Sequence, residues 1–171
     1  EYLISAARIL YKRGISFNVK VVGAAASERD RIYFNKIKTS SDDLISTGKV
    51  IFEKPVRNID TPGVYGASEL FVNLTATGSF DKAIVEAMSC ELPILVSNKV
   101  FEQILPPRLK ELCLFNEGDA SNLASKISVF LGLSAESRRQ IGKELREIVV
   151  GNHSLSRLVD ALSQRLSNTQ Q

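Results

Sequence analysis

Histidine is nearly missing from this chain of 171 residues, and cysteine is scarce: one His and two Cys. No nucleophile–base constellation is evident around that single histidine. His153 stands in Gly151-Asn152-His153-Ser154, where a turn residue ahead of a helix cap is expected. Cys90 and Cys113 form no close pair, so neither zinc nor a disulfide framework is suggested, and both read as free core thiols of a reducing cytosol. No apolar run approaches the roughly 18 residues of a membrane span, and no signal-peptide pattern is visible. The net charge of +3 comes without a dense basic run, which argues against nucleic acid as a partner. A Walker-type phosphate loop is missing, and so is a full dinucleotide fingerprint; Gly23-Ala24-Ala25-Ala26 fits neither. Internal repeats and low-complexity segments are absent as well.

What is present is an ordinary globular composition, 44% hydrophobic and 24% charged. The chain is long enough for a single domain with a full core. Its organising stretch is residues 69–98, which reads as strand, loop, helix, strand. The run at 69–74 and the run Ile94-Leu95-Val96 are near-continuously apolar, as expected of strands covered on both faces. Such a unit is parallel and right-handed, and ligands sit beyond the carboxyl ends of its strands. That puts the segment from Gly78 to Lys82 at the binding lip.

The remaining elements alternate in the same way. Helical spacing covers residues 1–13, with Gly14 as a stop. Strands are expected at 17–22, 49–52 and 112–115. Ser27 caps a helix to about residue 38, Thr61 caps a short one opened by Pro62, and residues 100–105 form another, closed by Pro106-Pro107. Asp119, Ser134 and Ser154 cap three C-terminal helices, over 120–131, 135–150 and up to about 166. The order predicts an α/β fold with a parallel sheet, helices on both faces and a helical C-terminus. Residues 1–166 are taken as one Rossmann-like domain and 167–171 as a frayed polar tail. The chain opens inside a helix at Glu1, without Met, and is expected to be part of something longer.

The lip carries the chemistry. Amides at a helix N-terminus point outward unpaired, and the helix dipole adds partial positive charge. Lys82 in the first turn opposes that dipole, so its charge suits a phosphate better than the helix. Asp81 could cap the helix or accept from a sugar hydroxyl. Glu86 follows Lys82 at i,i+4 on one face, and a carboxylate can accept from both hydroxyls of a ribose. Lys82, Glu86 and Ser89 equally describe a solvated face with an ion pair, and the residues alone leave both readings open. The small residues at 23–27 are likewise either a close approach for a ligand or a plain strand-to-helix turn.

The segment 67–97, with Asp81-Lys82-Ala83-Ile84-Val85-Glu86-Ala87-Met88-Ser89-Cys90 at its centre, resembles the donor-binding half of group 1 (family 4) retaining glycosyltransferases. The Val21-Val22-Gly23 strand end, Val50-Ile51-Phe52, and Leu114-Phe115 with Gly118-Asp119 support it. The resemblance implies a GT-B fold, of which this would be the C-terminal, nucleotide-sugar-binding domain without its first strand. It implies a hexosyltransferase of polysaccharide or glycoconjugate biosynthesis, inactive as this piece alone. Glu86 would bind the donor ribose. Gly78, Ser79, Phe80, Asp81 and Lys82 would form the loop meeting sugar and diphosphate, with Lys82 and Asp81 closest to the chemistry. Lys54, Pro55 and Val56 would lie near the base, by main-chain contacts, and Gly23 would be a further donor-binding residue. No metal or other cofactor is implied. The acceptor, and any membrane association of a cytoplasmic parent, would belong to a part outside this sequence. The chain departs from the family in three places. Gly78 stands where the family has a second glutamate, eight positions before Glu86. Glu91-Leu92 displaces the usual glycine before Pro93. The family's phosphate-gripping Arg and Lys lie on a strand and loop that this chain does not contain. Gly78 motivates the alternative of a non-catalytic nucleotide-sugar-binding or regulatory module of the same fold.

Overall fold

The computed structural model describes residues 1–75 and 80–153. Along them run helix α1 (Tyr2–Lys12), strand β1 (Val19–Val22), α2 (Glu28–Thr39), α3 (Asp42–Ser46), β2 (Val50–Glu53), a 3-10 turn (Asn58–Asp60), α4 (Thr61–Gly66), β3 (Phe71–Asn73), α5 (Lys82–Ser89), β4 (Ile94–Val96), α6 (Phe101–Ile104), α7 (Pro107–Cys113), α8 (Ala120–Gly132) and α9 (Ala135–His153). Strands alternate with helices and pair in parallel, the α/β arrangement expected from the sequence. Among the described residues β1 pairs with β2 and β3 with β4. Two compact units result: Glu1–Val64 with Phe115–Gly132, and Tyr65–Leu114 with the segment from Leu133. Among the described residues no helix is long and apolar enough to cross a membrane.

In the first unit α1 packs on α8. Ile4, Ala6, Ala7 and Leu10 are buried on one side, and Leu123, Ala124, Ile127 and Phe130 on the other. The adjacent alanines are small enough to let two helix axes close together. β1 and β2 pair from Val19↔Val50 to Val22↔Glu53. Ser27 caps α2 as expected, its Oγ accepting from Asp30 N at 3.2 Å. The short helix α3 was not legible beforehand. It ends in a Schellman turn at Gly48 (φ +67), with Lys49 N donating to Leu44 O at 2.8 Å. Gly14 (φ +70) closes α1 in the same way, through Ile15 N to Leu10 O at 3.1 Å.

In the second unit β4 is wholly buried and β3 half-buried, so only β4 meets the expectation of cover on both faces. β3 pairs with β4 from Phe71↔Ile94 to Asn73↔Val96. α5 lies on both strands and against α9, burying Ile84, Ala87 and Met88. α5 also ends in a Schellman turn: Leu92 N donates to Ala87 O at 3.1 Å and Glu91 N to Met88 O at 3.0 Å. The residue in the left-handed position is Glu91, at φ +59. α9 presses on this turn, and a Cβ added at Gly142 would lie 2.7 Å from the Glu91 carbonyl carbon.

Several expectations give way here. Leu112 and Cys113 belong to α7, not to a strand, and only Leu114 makes an isolated parallel bridge, to Val96. Pro107 opens that helix at its first turn instead of closing the one before, since its missing N–H costs nothing there. Leu109 and Cys113, four apart, supply the buried stripe. Thr61 is the first residue of α4 rather than its cap, and its hydroxyl donates to Asn58 O behind it. α9 continues through Gly151 to His153, so His153 is helical and not a turn residue. The caps at Asp119 and Ser134 are present, accepting from Asn122 N (2.8 Å) and Ser137 N (3.1 Å). Among the described residues neither Cys90 nor Cys113 is in a disulfide. The helix expected after Ser154 and the tail at 167–171 lie outside the described residues.

Candidate functional site

Asn73 ends β3 and ties three segments together. Its Nδ2 donates to Asp81 Oδ2 at 3.0 Å, its Oδ1 accepts from Thr75 N at 2.9 Å, and its carbonyl accepts from Ser97 N at 3.3 Å. Asp81 is thereby fixed as the N-cap of α5, its other oxygen accepting from Ala83 N at 3.0 Å. Of the two roles read from the sequence, the cap is the one the geometry displays. Among the described residues each Asp81 oxygen holds one bond and keeps further lone-pair capacity.

Lys82 opens α5 and Glu86 lies one turn on, with Nζ 3.1 Å from Oε1. The lysine side chain is 77% exposed and the glutamate 30%. An exposed pair of this kind, with the cation nearer the helix N-terminus, contributes only a few tenths of a kcal/mol at best. The lysine is therefore loosely held and the carboxylate is not. Glu86 Oε2 accepts a second bond, from Tyr65 Oη at 3.3 Å. Tyr65 sits near the end of α4, its ring edge-on to Phe71 of β3 at 5.7 Å. Burial, then the neighbouring Glu86 charge, pushes the phenol up to about 12 from an ordinary 10.0. Phe80, just before the cap, is 45% exposed and stacks on buried Phe101, centroids 6.0 Å apart. Ser97, directly after β4, is 7% exposed, and among the described residues its Oγ has no hydrogen-bond partner.

Asp81, Lys82 and Glu86 are thus brought together with Phe80 at one end of α5. Gly78 and Ser79 lie outside the described residues. The other expected residues belong to the first unit. Lys54, Pro55 and Val56 form an exposed loop after β2. Gly23 ends β1 at φ +149, a backbone conformation that favours glycine, with its N–H on Glu53 O at 3.3 Å. Tyr65, Asn73 and Ser97 went unassigned from the sequence. For Ser97 the available signal was a hydroxyl immediately after a buried apolar run. Among the described residues no group of three or more His, Cys, Asp or Glu is placed to hold a metal ion.

Residues 1–132 match the family described as glycosyl transferases group 1. A comparison with curated protein sequences gives no significant match. Among solved structures, the catalytic domain of the cholesterol-α-glucosyltransferase of Helicobacter pylori is similar, with a TM-score of 0.66, 23% identity, and coverage of 88% of this chain and 87% of that one. HepE of Anabaena in complex with UDP aligns at TM-score 0.80 and 20% identity, over 98% of this chain and 44% of its own. Sucrose-phosphate synthase of Thermosynechococcus elongatus aligns at TM-score 0.80 and 19% identity, over 98% and 42%. The chain thus spans less than half of the latter two. At identities this low the likeness is one of fold.

Proposed function

Because this chain belongs to the group 1 glycosyl transferases, we propose that it is the donor-binding part of an enzyme moving a sugar, of the hexosyl class, from a nucleoside diphosphate sugar to an acceptor hydroxyl with retention. The observation that carries the reading is the Glu86 carboxylate, partly exposed beside the start of α5 and held by one donor on each oxygen. A carboxylate has about four lone-pair positions, so one on each oxygen stays open, the number a vicinal diol needs. Lys82, exposed and weakly paired, is free to turn to a diphosphate, and the α5 amides favour the same anion. Asp81 holds that helix start in place. Catalysis then rests on positioning and on charge stabilisation at the leaving diphosphate, with no metal required. HepE, a structural neighbour, has been solved with UDP and with UDP-glucose, which supports a nucleotide-sugar ligand for this fold.

Gly78, Ser79 and Phe80 meet the donor sugar and diphosphate. In the first unit, Lys54, Pro55 and Val56 meet the base through their main chain, and Gly23 is a further donor-binding residue. The acceptor is bound elsewhere in the parent protein, which acts in the cytoplasm. The competing reading, a binding or regulatory module without transfer, is favoured by Gly78 in the place of a glutamate; donor turnover by the full-length parent would sink it. The donor site is tested by calorimetric titration with UDP, GDP and ADP, each beside its sugar conjugate. One nucleotide is expected to saturate, and Glu86→Ala to weaken it by about 1.5–3 kcal/mol, the scale of a charge-assisted hydrogen bond. Unchanged affinity with the fold intact would remove Glu86 from the site.

A further inference from the structure

The structure assigns Tyr65 a role in the donor site: it is a positioning residue that holds the Glu86 carboxylate in its diol-binding orientation after Lys82 has left for a phosphate. This rests on the reading of Glu86 given above. Glu86 Oε1 is held by Lys82 at 3.1 Å and Oε2 by Tyr65 at 3.3 Å. The two restraints differ in kind. Lys82 is a long, exposed chain whose charge is wanted elsewhere once a diphosphate arrives. Tyr65 has only two side-chain torsions, and its ring is half-buried and set edge-on against Phe71. Its hydroxyl carries one proton, which can go to Glu86 Oε2 or to the Ala83 carbonyl at 3.5 Å. The carboxylate is the stronger acceptor and lies nearer. With Lys82 withdrawn, the phenol supplies the one hydrogen bond among the described residues that still orients Glu86, and it leaves Oε1 open to a ligand hydroxyl. Without it the glutamate regains its rotamers, and binding must order them again.

The test is a titration of wild type, Tyr65→Phe, Glu86→Gln and the double variant with UDP, ADP and GDP, then with the 2′,3′-dideoxy form of whichever binds. Tyr65→Phe keeps the ring against Phe71, and circular dichroism would verify the fold. Its affinity for the ribonucleotide is expected to fall about two- to tenfold, the range for one hydrogen bond. The dideoxy form should bind wild type and Tyr65→Phe alike, and Tyr65→Phe should cost nothing further in the Glu86→Gln background. Equal losses for both ligands, or a loss additive with Glu86→Gln, would make Tyr65 a mere structural support and overturn the assignment. So would an unchanged ribonucleotide affinity in Tyr65→Phe alongside a weakened Glu86→Gln. A Glu86→Gln variant that binds normally, or no binding of any of the three nucleotides, would instead strike the reading of Glu86 itself.

Discussion

A phenol whose proton is shared between a carboxylate and a carbonyl should be slow to give it up. Tyr65 is raised to about 12 from 10.0, by burial first and by Glu86 second. The folded value lies above the free one, so the fold favours the protonated form. That contribution is whole below pH 10, shrinks as pH rises from there, and is gone above pH 12. The near-ultraviolet difference titration of wild type minus Tyr65→Phe should therefore show a tyrosinate midpoint about two pH units above the ordinary one; a midpoint at the ordinary value would mean that the hydroxyl does not rest on Glu86. Residue by residue, the sequence disclosed what local spacing can encode. Lys82 and Glu86 are one turn apart, and Asp81 precedes a helical run, so the ion pair and the cap were legible. Tyr65 lies 21 positions from Glu86, and no periodicity connects a tyrosine in one helix to a glutamate in the next. That contact exists only once α4, β3 and α5 have packed.

Helix endings show the same contrast. α1, α3 and α5 all close with Schellman turns, two of them on glycine and the third on Glu91 at φ +59. A side chain in the left-handed region costs roughly 1–2 kcal/mol. The partial return is an ion pair from Glu91 to Arg146 at 3.9 Å, between half-exposed groups and worth under about 1 kcal/mol. Glycine is also what the family resemblance expects ahead of Pro93. Glu91→Gly should raise stability by up to about 1 kcal/mol, after subtracting the larger unfolded-state entropy of glycine. Urea denaturation would decide it, and a loss of stability would mean that the carboxylate contributes more than its geometry suggests. β1 to β4 were readable from short runs of mostly apolar residues. The strand expected at 112–115 failed because Leu112, Cys113 and Leu114 are apolar in succession, and that run hides the four-residue spacing of Leu109 and Cys113 in α7. The five residues of α3 are too few for any periodicity to register.

Across the whole molecule, the α/β class followed from the alternation of elements, but the partition into two units did not. Residues 115–132 return to the first unit while the chain from Leu133 rejoins the second, a choice made by long-range packing that no window of sequence records. The chain also spans less than half of HepE and of sucrose-phosphate synthase. By itself it is expected to bind a nucleotide yet release and transfer no sugar, as a radiolabelled-donor assay would read; turnover by this chain alone would place the whole catalytic apparatus within it. The aromatic step at Phe80 lends itself to following that binding by light. The sequence contains no tryptophan, so Phe80→Trp would put the protein's sole indole on a partly exposed ring stacked against Phe101, one residue from the Asp81 cap. Excited at the red edge of its absorption, beyond the four tyrosines, that indole would report from a single known place. A nucleotide settling at the start of α5 would announce itself as a change in colour or brightness there.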